Sequence, residues 1–246
     1  MTPGHRIPWR VGHIVDTHHE TPAARTLTLD VPDWPGHLAG QHLDLRLTAP
    51  DGYHAQRSYS LATPTHDTRI QLTIQHVTDG EVSPYLVSEI HAGDDIELRG
   101  PVGGWFTWQP RHPGPVLLIA GGSGIVPLAA MIRARAAAHS PATFRLIYSA
   151  RTPDDVYYAD ELHHRAHNDT GLHLSLLYTR AAPDTHTRTP HRISPDDLTD
   201  IPTPDDAARS YICGPTGFVE TVARMLVDRG HDPRTVRTER FGPSGG

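Results

Sequence analysis

The chain has 246 residues, with 22 basic and 28 acidic side chains, a net charge of −6 and 37% apolar residues. This composition reads as a soluble, cytoplasmic globular protein: no apolar run nears the ~20 residues that span a bilayer, and residues 1–10 lack the apolar core of a secretory signal. A single cysteine, Cys213, excludes a disulfide framework, a four-cysteine zinc site and a cysteine-held iron–sulfur cluster, and the acidic balance argues against nucleic acid as a partner.

From the N-terminus the pattern is β. Residues 26–31, 43–47, 70–75 and 95–99 alternate apolar and polar side chains, the period of a half-buried strand. Clusters of Gly, Pro and Asp at 32–36, 49–52 and 93–94 supply turns, and a brief helix is expected over 84–89. Short alternating strands of this kind predict an antiparallel barrel or sandwich.

The Pro-rich stretch 110–115 marks a change, so domains are expected at 1–112 and 113–246. Residues 116–120 form a continuous apolar run, as in a strand buried on both faces. Gly121-Gly122-Ser123-Gly124 follows, then a helix with Pro127 in its first turn. Further strands are expected at 144–148, 174–178, 210–213 and 236–240. Thr152-Pro153-Asp154-Asp155 and Ser194-Pro195-Asp196-Asp197 both read as helix starts, with a hydroxyl cap, proline next and acids in the first turn. The helix after Cys213 carries Phe218, Val222, Met225 and Leu226 on one face and stops at Gly230. Alternating β and α segments predict a parallel sheet covered by helices.

Three segments can carry chemistry. A strand, Gly121–Gly124 and a helix start would let a phosphate approach the backbone and the helix dipole, although a plain tight turn has the same pattern. Arg57-Ser58-Tyr59-Ser60 offers a guanidinium fork, a flat ring and hydroxyls, or simply an amphipathic strand. Gly80-Glu81-Val82-Ser83 suits a second phosphate, or a capped helix. The 19 histidines show no metal-binding spacing, so no metal is expected, and all the basic residues are arginine.

In this order the segments resemble the ferredoxin–NADP reductase family, in the branch that includes oxygenase reductase components. The likeness runs from about Trp9 to Phe241. It takes in Gly40-Gln41, Arg57-x-Tyr59-Ser60, Gly80-x-Val82-Ser83, Gly100-Pro101-x-Gly103, Gly121-Gly122-Ser123-Gly124-Ile125-x-Pro127 and Cys213-Gly214-Pro215. The resemblance implies an FAD-binding barrel followed by a nicotinamide-nucleotide domain. It implies that Arg57 meets the FAD pyrophosphate, that Tyr59 packs on the flavin with Ser58 beside it, and that Ser60 lies near the hydride-accepting N5. Gln75, His76 and Val77 would contact the flavin through backbone, while Gly80, Glu81, Val82 and Ser83 hold phosphates. Gly121 to Pro127 would seat the nicotinamide nucleotide, with Cys213, Gly214 and Pro215 beside the nicotinamide and Phe241 covering the flavin.

The resemblance implies that a ribose 2′-phosphate would lie where Ser149, Arg151 and Arg180 end strands, so NADPH is expected ahead of NADH. The implied activity is hydride transfer from NAD(P)H to FAD. Electrons then pass to an acceptor expected to be a separate molecule, such as a ferredoxin, a flavodoxin or an oxygenase component, because the cysteines of a ferredoxin domain are absent. A free-flavin or ferric reductase, an electron-transfer subunit of a larger enzyme and a non-catalytic binding module are the rival readings.

Overall fold

The computed structural model describes residues 7–49, 51–64, 67–112, 114–203 and 208–242. Pro113, where the second domain is expected to begin, and the terminal Pro-Ser-Gly-Gly lie outside them. Six antiparallel strands come first: β1 (Arg10–Thr21), β2 (Ala24–Asp30), β3 (His42–Thr48), β4 (His54–Ser60), β5 (Arg69–Gln75) and β6 (Asp95–Val102). Their order is β4-β3-β6-β1-β2-β5. The two ends approach each other where Leu61 bridges Leu72 and Ala62 N–H donates to Gln71 O at 2.8 Å, curling the sheet towards a barrel. Leu27, Leu29, Leu43, Leu45, Ile70 and Leu72, all fully buried, fill its interior. Helix α1 (Ser83–Ser88) caps one end through Leu86 and Val87.

The long first strand is the element that periodicity misses. In β1 three histidines and two register shifts against β2 break the simple alternation.

A parallel sheet of order β11-β10-β7-β8-β9 follows, built from β7 (Val116–Gly121), β8 (Phe144–Ala150), β9 (Leu172–Tyr178), β10 (Arg209–Pro215) and β11 (Val236–Phe241). Every residue of β7 is buried, as a central strand covered on both faces requires. Helices α2 (Ile125–Ala137), α3 (Ala159–Asn168) and α4 (Thr216–Asp228) cover it. No helix among the described residues is long and apolar enough to cross a membrane.

Two helix starts differ from expectation. Thr152 and Ser194 do form reciprocal capping boxes with Asp155 and Asp197, but each box holds only a single 3-10 turn, at Pro153–Asp155 and Pro195–Leu198. After the first turn Tyr158 adopts a left-handed backbone (φ 57°), and α3 begins only at Ala159. After the second, Pro202 stands four residues beyond Leu198, and the residue before a proline is steered away from helix.

The two sheets share a seam. Phe106 and Trp108, on the segment after β6, belong to the core of the parallel sheet: Trp108 meets Phe144 edge-on at 5.0 Å and Phe106 meets Tyr211 at 5.5 Å. Polar bonds cross it as well. Tyr211 donates to Thr107 O at 2.9 Å, Arg133 donates to Ala62 O at 2.7 Å, and the Thr73 and Tyr158 hydroxyls are hydrogen-bonded.

Candidate active site between the sheet ends

Strand β4 presents its chemistry on two faces. Leu43 pairs with Tyr59 and Leu45 with Arg57, which puts Tyr59 and Arg57 on the core-side face at its open end. Ser58 lies on the opposite face and donates to Asp44 at 2.6 Å, and Asp44 also receives Arg99. Strand alternation thus separates Ser58 from Arg57 and Tyr59 and leaves it on the face of Ser60. Burial pushes the Tyr59 phenol up to about 12, partly offset by Arg57, so the ring stays neutral.

The guanidinium of Arg57 is half exposed and reaches Glu81 at 2.6 Å, and Tyr53 donates to the other oxygen of Glu81 at 2.9 Å. These two hydrogen bonds hold the Glu81 carboxyl below its ordinary range. Around them the turn after β5 is tied by backbone. Val77 N–H donates to Ser83 Oγ at 3.1 Å, Gly80 N–H to Val77 O at 2.9 Å, and His76 N–H to Ala23 O at 2.8 Å. Val77 projects outward, 57% exposed, just beyond Gln75 at the end of β5, whereas Val82 is buried in the barrel core. An exposed guanidinium, a flat ring, an open backbone turn and an outward apolar side chain fit an anionic flavin nucleotide.

A second cluster forms where the two sheets meet. Ser60 is paired in register with His42, and its buried Oγ has no hydrogen-bond partner among the described residues. His42 Nδ1 lies 3.8 Å from Glu239 Oε1 on β11. Glu239 is in turn the register partner of Cys213 on β10. Ser60 and Cys213, 153 positions apart in sequence, are therefore linked through His42 and Glu239. Burial raises the Glu239 carboxyl to about 7, and its Oε2 is another buried atom without a partner. Burial and the nearby Glu239 push the Cys213 thiol well up, so the thiol is neutral. Burial lowers His42, against the pull of Asp44. Sequence patterns single out neither His42 nor Glu239. Glu239 lies two residues before Phe241, and no spacing along the chain marks it as a site residue.

The glycine loop sits against this cluster. A Cβ on Gly124 would lie 2.1 Å from Cys213 O, so Gly124 lets the loop press on β10. Gly122, with φ 55° and open space around it, presents backbone outward together with half-exposed Ser123. Gly121 packs beneath the Phe218 ring. Ile125 and Pro127 are buried in α2 and support the loop. Gly214 continues from Cys213, and Pro215 pairs with Phe241 at the end of β11, where Phe241 is partly buried against the core.

Beyond the loop lies a cavity of about 610 Å³ at the carboxyl ends of the parallel strands, where such sheets bind ligands. Ser149, Arg151, Thr179, Arg180 and Arg192 line its polar side, with Phe218 and Ile193 on the apolar side, and no carboxylate among the described residues lines it. Arg192 comes from the long connection after β9 and lies outside any recognisable pattern.

Residues 13–107 match the model of the oxidoreductase FAD-binding domain, and residues 118–224 match that of the oxidoreductase NAD-binding domain. The ferredoxin–NADP reductase B of Sorangium cellulosum is 32% identical over 166 residues, which cover 66% of this chain and 67% of that protein. The flavohemoprotein of Deinococcus radiodurans is 30% identical over 215 residues, 85% of this chain and 53% of its own length, so the chain spans about half of that relative. Among solved structures, the cytochrome P450 reductase GcoB of Amycolatopsis superposes with a TM-score of 0.84 at 26% identity, covering 98% of this chain and 72% of that one.

Proposed function

From a chain that belongs to the ferredoxin–NADP reductase family of FAD- and NAD-binding oxidoreductases, we propose a reductase. It moves hydride from NAD(P)H to bound FAD and passes electrons to a separate acceptor, a ferredoxin or an oxygenase component, in the cytoplasm. The observation that carries this reading is the convergence of Ser60, His42, Glu239 and Cys213 where the two sheets meet, between the flavin-type cradle and the glycine loop. We read residues 1–112 as the FAD domain and 113–246 as the nicotinamide-nucleotide domain.

Bound FAD supplies the two-electron acceptor chemistry that no side chain here provides. The chain's own work is orientation. Arg57 offers a charged fork to phosphate, and Tyr59 offers a neutral flat surface beside it. The Ser60 hydroxyl has its hydrogen-bonding capacity free. Cys213, neutral and fully buried, shapes the floor on which the glycine loop rests. A cleft whose residues would hold both nucleotides in fixed orientation would lower the entropic part of the barrier. With its carboxyl near 7, Glu239 is able to hold or release a proton at Oε2 around neutral pH.

The cavity lined by Arg151, Arg180 and Arg192 favours NADPH over NADH, because three guanidinium groups without a competing carboxylate suit a dianionic 2′-phosphate. An anaerobic titration with each nucleotide, following flavin absorbance, tests the reading. Bleaching by NADPH at lower concentration than NADH is expected. A flavin-loaded protein that neither nucleotide bleaches would refute it.

A further inference from the structure

The cradle that faces the flavin phosphates contains an anion of its own. Arg57, the guanidinium available to a pyrophosphate on β4, is already bonded through Nη2 to Glu81 Oε2 at 2.6 Å. A second donor, the Tyr53 hydroxyl, is bonded to Glu81 Oε1 at 2.9 Å. Both oxygens of this carboxylate are thus engaged by groups that would otherwise be offered to phosphate. Glu81 leaves the Gly80–Ser83 turn at the point where that turn meets β4, and Asp79 precedes it in the same turn. The local charge of the Arg57–Glu81 pair is zero, in a place whose ligand carries two negative phosphates.

We propose that Glu81 acts as an internal competitor for the flavin phosphates, so that FAD is held a few-fold less tightly than an unpaired Arg57 would hold it. The inference rests on the FAD reading above and concerns how tightly the flavin resides. To seat its pyrophosphate on Arg57, FAD has to displace or share the carboxylate. A neutral isoalloxazine without phosphates meets no such competition. The Arg57–Glu81 pair is half exposed, 51% and 49% at the side chains. Solvent therefore screens it, and the effect is a few-fold rather than the hundredfold or more expected of a buried pair.

The test is an equilibrium titration of deflavinated protein with FAD and, separately, with riboflavin, followed by flavin fluorescence. Wild type, Glu81→Gln and Glu81→Ala are compared; the side chain is surface-exposed, and far-UV circular dichroism verifies the fold of each. Both variants are expected to bind FAD about three- to fivefold more tightly than wild type, with riboflavin unchanged. Unchanged FAD affinity in both variants would overturn the proposal. So would weaker FAD binding in both, because Glu81 would then serve to orient Arg57. An equal gain for riboflavin would also overturn it, since phosphate competition cannot act on a ligand without phosphate. If neither wild type nor variants bind FAD at all, the FAD reading itself falls and takes this inference with it.

Discussion

Gly124→Ala tests the contact on which the nucleotide loop depends. The added Cβ would sit 2.1 Å from Cys213 O, 2.4 Å from Cys213 C and 2.7 Å from Gly214 N, all of them backbone atoms. Real Cβ atoms essentially never make non-bonded contacts under 3.0 Å, so the loop or the end of β10 must move by about an ångström. Neither can yield by rotating a side chain, because β10 is hydrogen-bonded to strands on both sides. Overpacking of this kind costs about 2–4 kcal/mol. For a chain of this length that lowers the melting temperature by roughly 5–15 °C. The same movement displaces Cys213 and the loop relative to the barrel, and an ångström of misplacement reduces the hydride-transfer rate by about a hundredfold. Thermal melting and stopped-flow flavin reduction measure the two effects. Gly217→Ala is the control for stability: its Cβ meets nothing within 4 Å in the first turn of α4, so its melting temperature should stay close to wild type. A Gly124→Ala protein that melts within a degree of wild type would show that the loop does not rest on β10 as described.

Three further outcomes are expected. Cys213→Ala keeps its flavin but reduces it more slowly with NADPH; an unchanged rate in single-turnover measurements would remove Cys213 from the site. Glu239→Gln alters the pH dependence of stability. The folded-state carboxyl titrates near 7, above its ordinary 4.5, so the folded protein binds the extra proton and wild-type stability falls as pH rises from about 4.5 to 7. The glutamine variant lacks this slope and gains on wild type by on the order of 2–3 kcal/mol between pH 5 and 8; parallel denaturation curves at both pH values would contradict the assigned burial. Arg192→Ala raises the NADPH concentration needed for half-maximal flavin reduction by about tenfold and leaves NADH little affected. Equal losses for the two nucleotides would place Arg192 away from the 2′-phosphate.

Much of this architecture is written locally. The unbroken apolar run of β7, the glycines after it and the amphipathic face of α4 are short-range patterns, and each forms where the sequence puts it. The site is less local. Ser60 and Cys213 are readable as isolated residues, but the side chains between them, His42 and Glu239, become neighbours only when β3 and β11 meet. No spacing along the chain encodes that meeting. The Ser194 box shows a different limit: its capping chemistry is correct for a helix start, yet Pro202 follows too soon for a helix to grow. Glu81 shows a third: its place in the Gly80–Ser83 turn is readable from the sequence, but its approach to Arg57 on β4 is set only by the fold.

The aromatic seam has a consequence for how the two halves can be separated. Phe106 and Trp108 precede the expected division at residue 112, but their rings plug the core of the parallel sheet. A cut at that division leaves the second fragment with an open socket over Phe144 and Tyr211 and the first with two large rings in water. The two halves are therefore expected to unfold in a single transition, which calorimetry checks. A recombinant that exchanges one barrel for another has to carry residues 103–112 with the parallel sheet, because those ten residues belong by topology to the first half and by packing to the second.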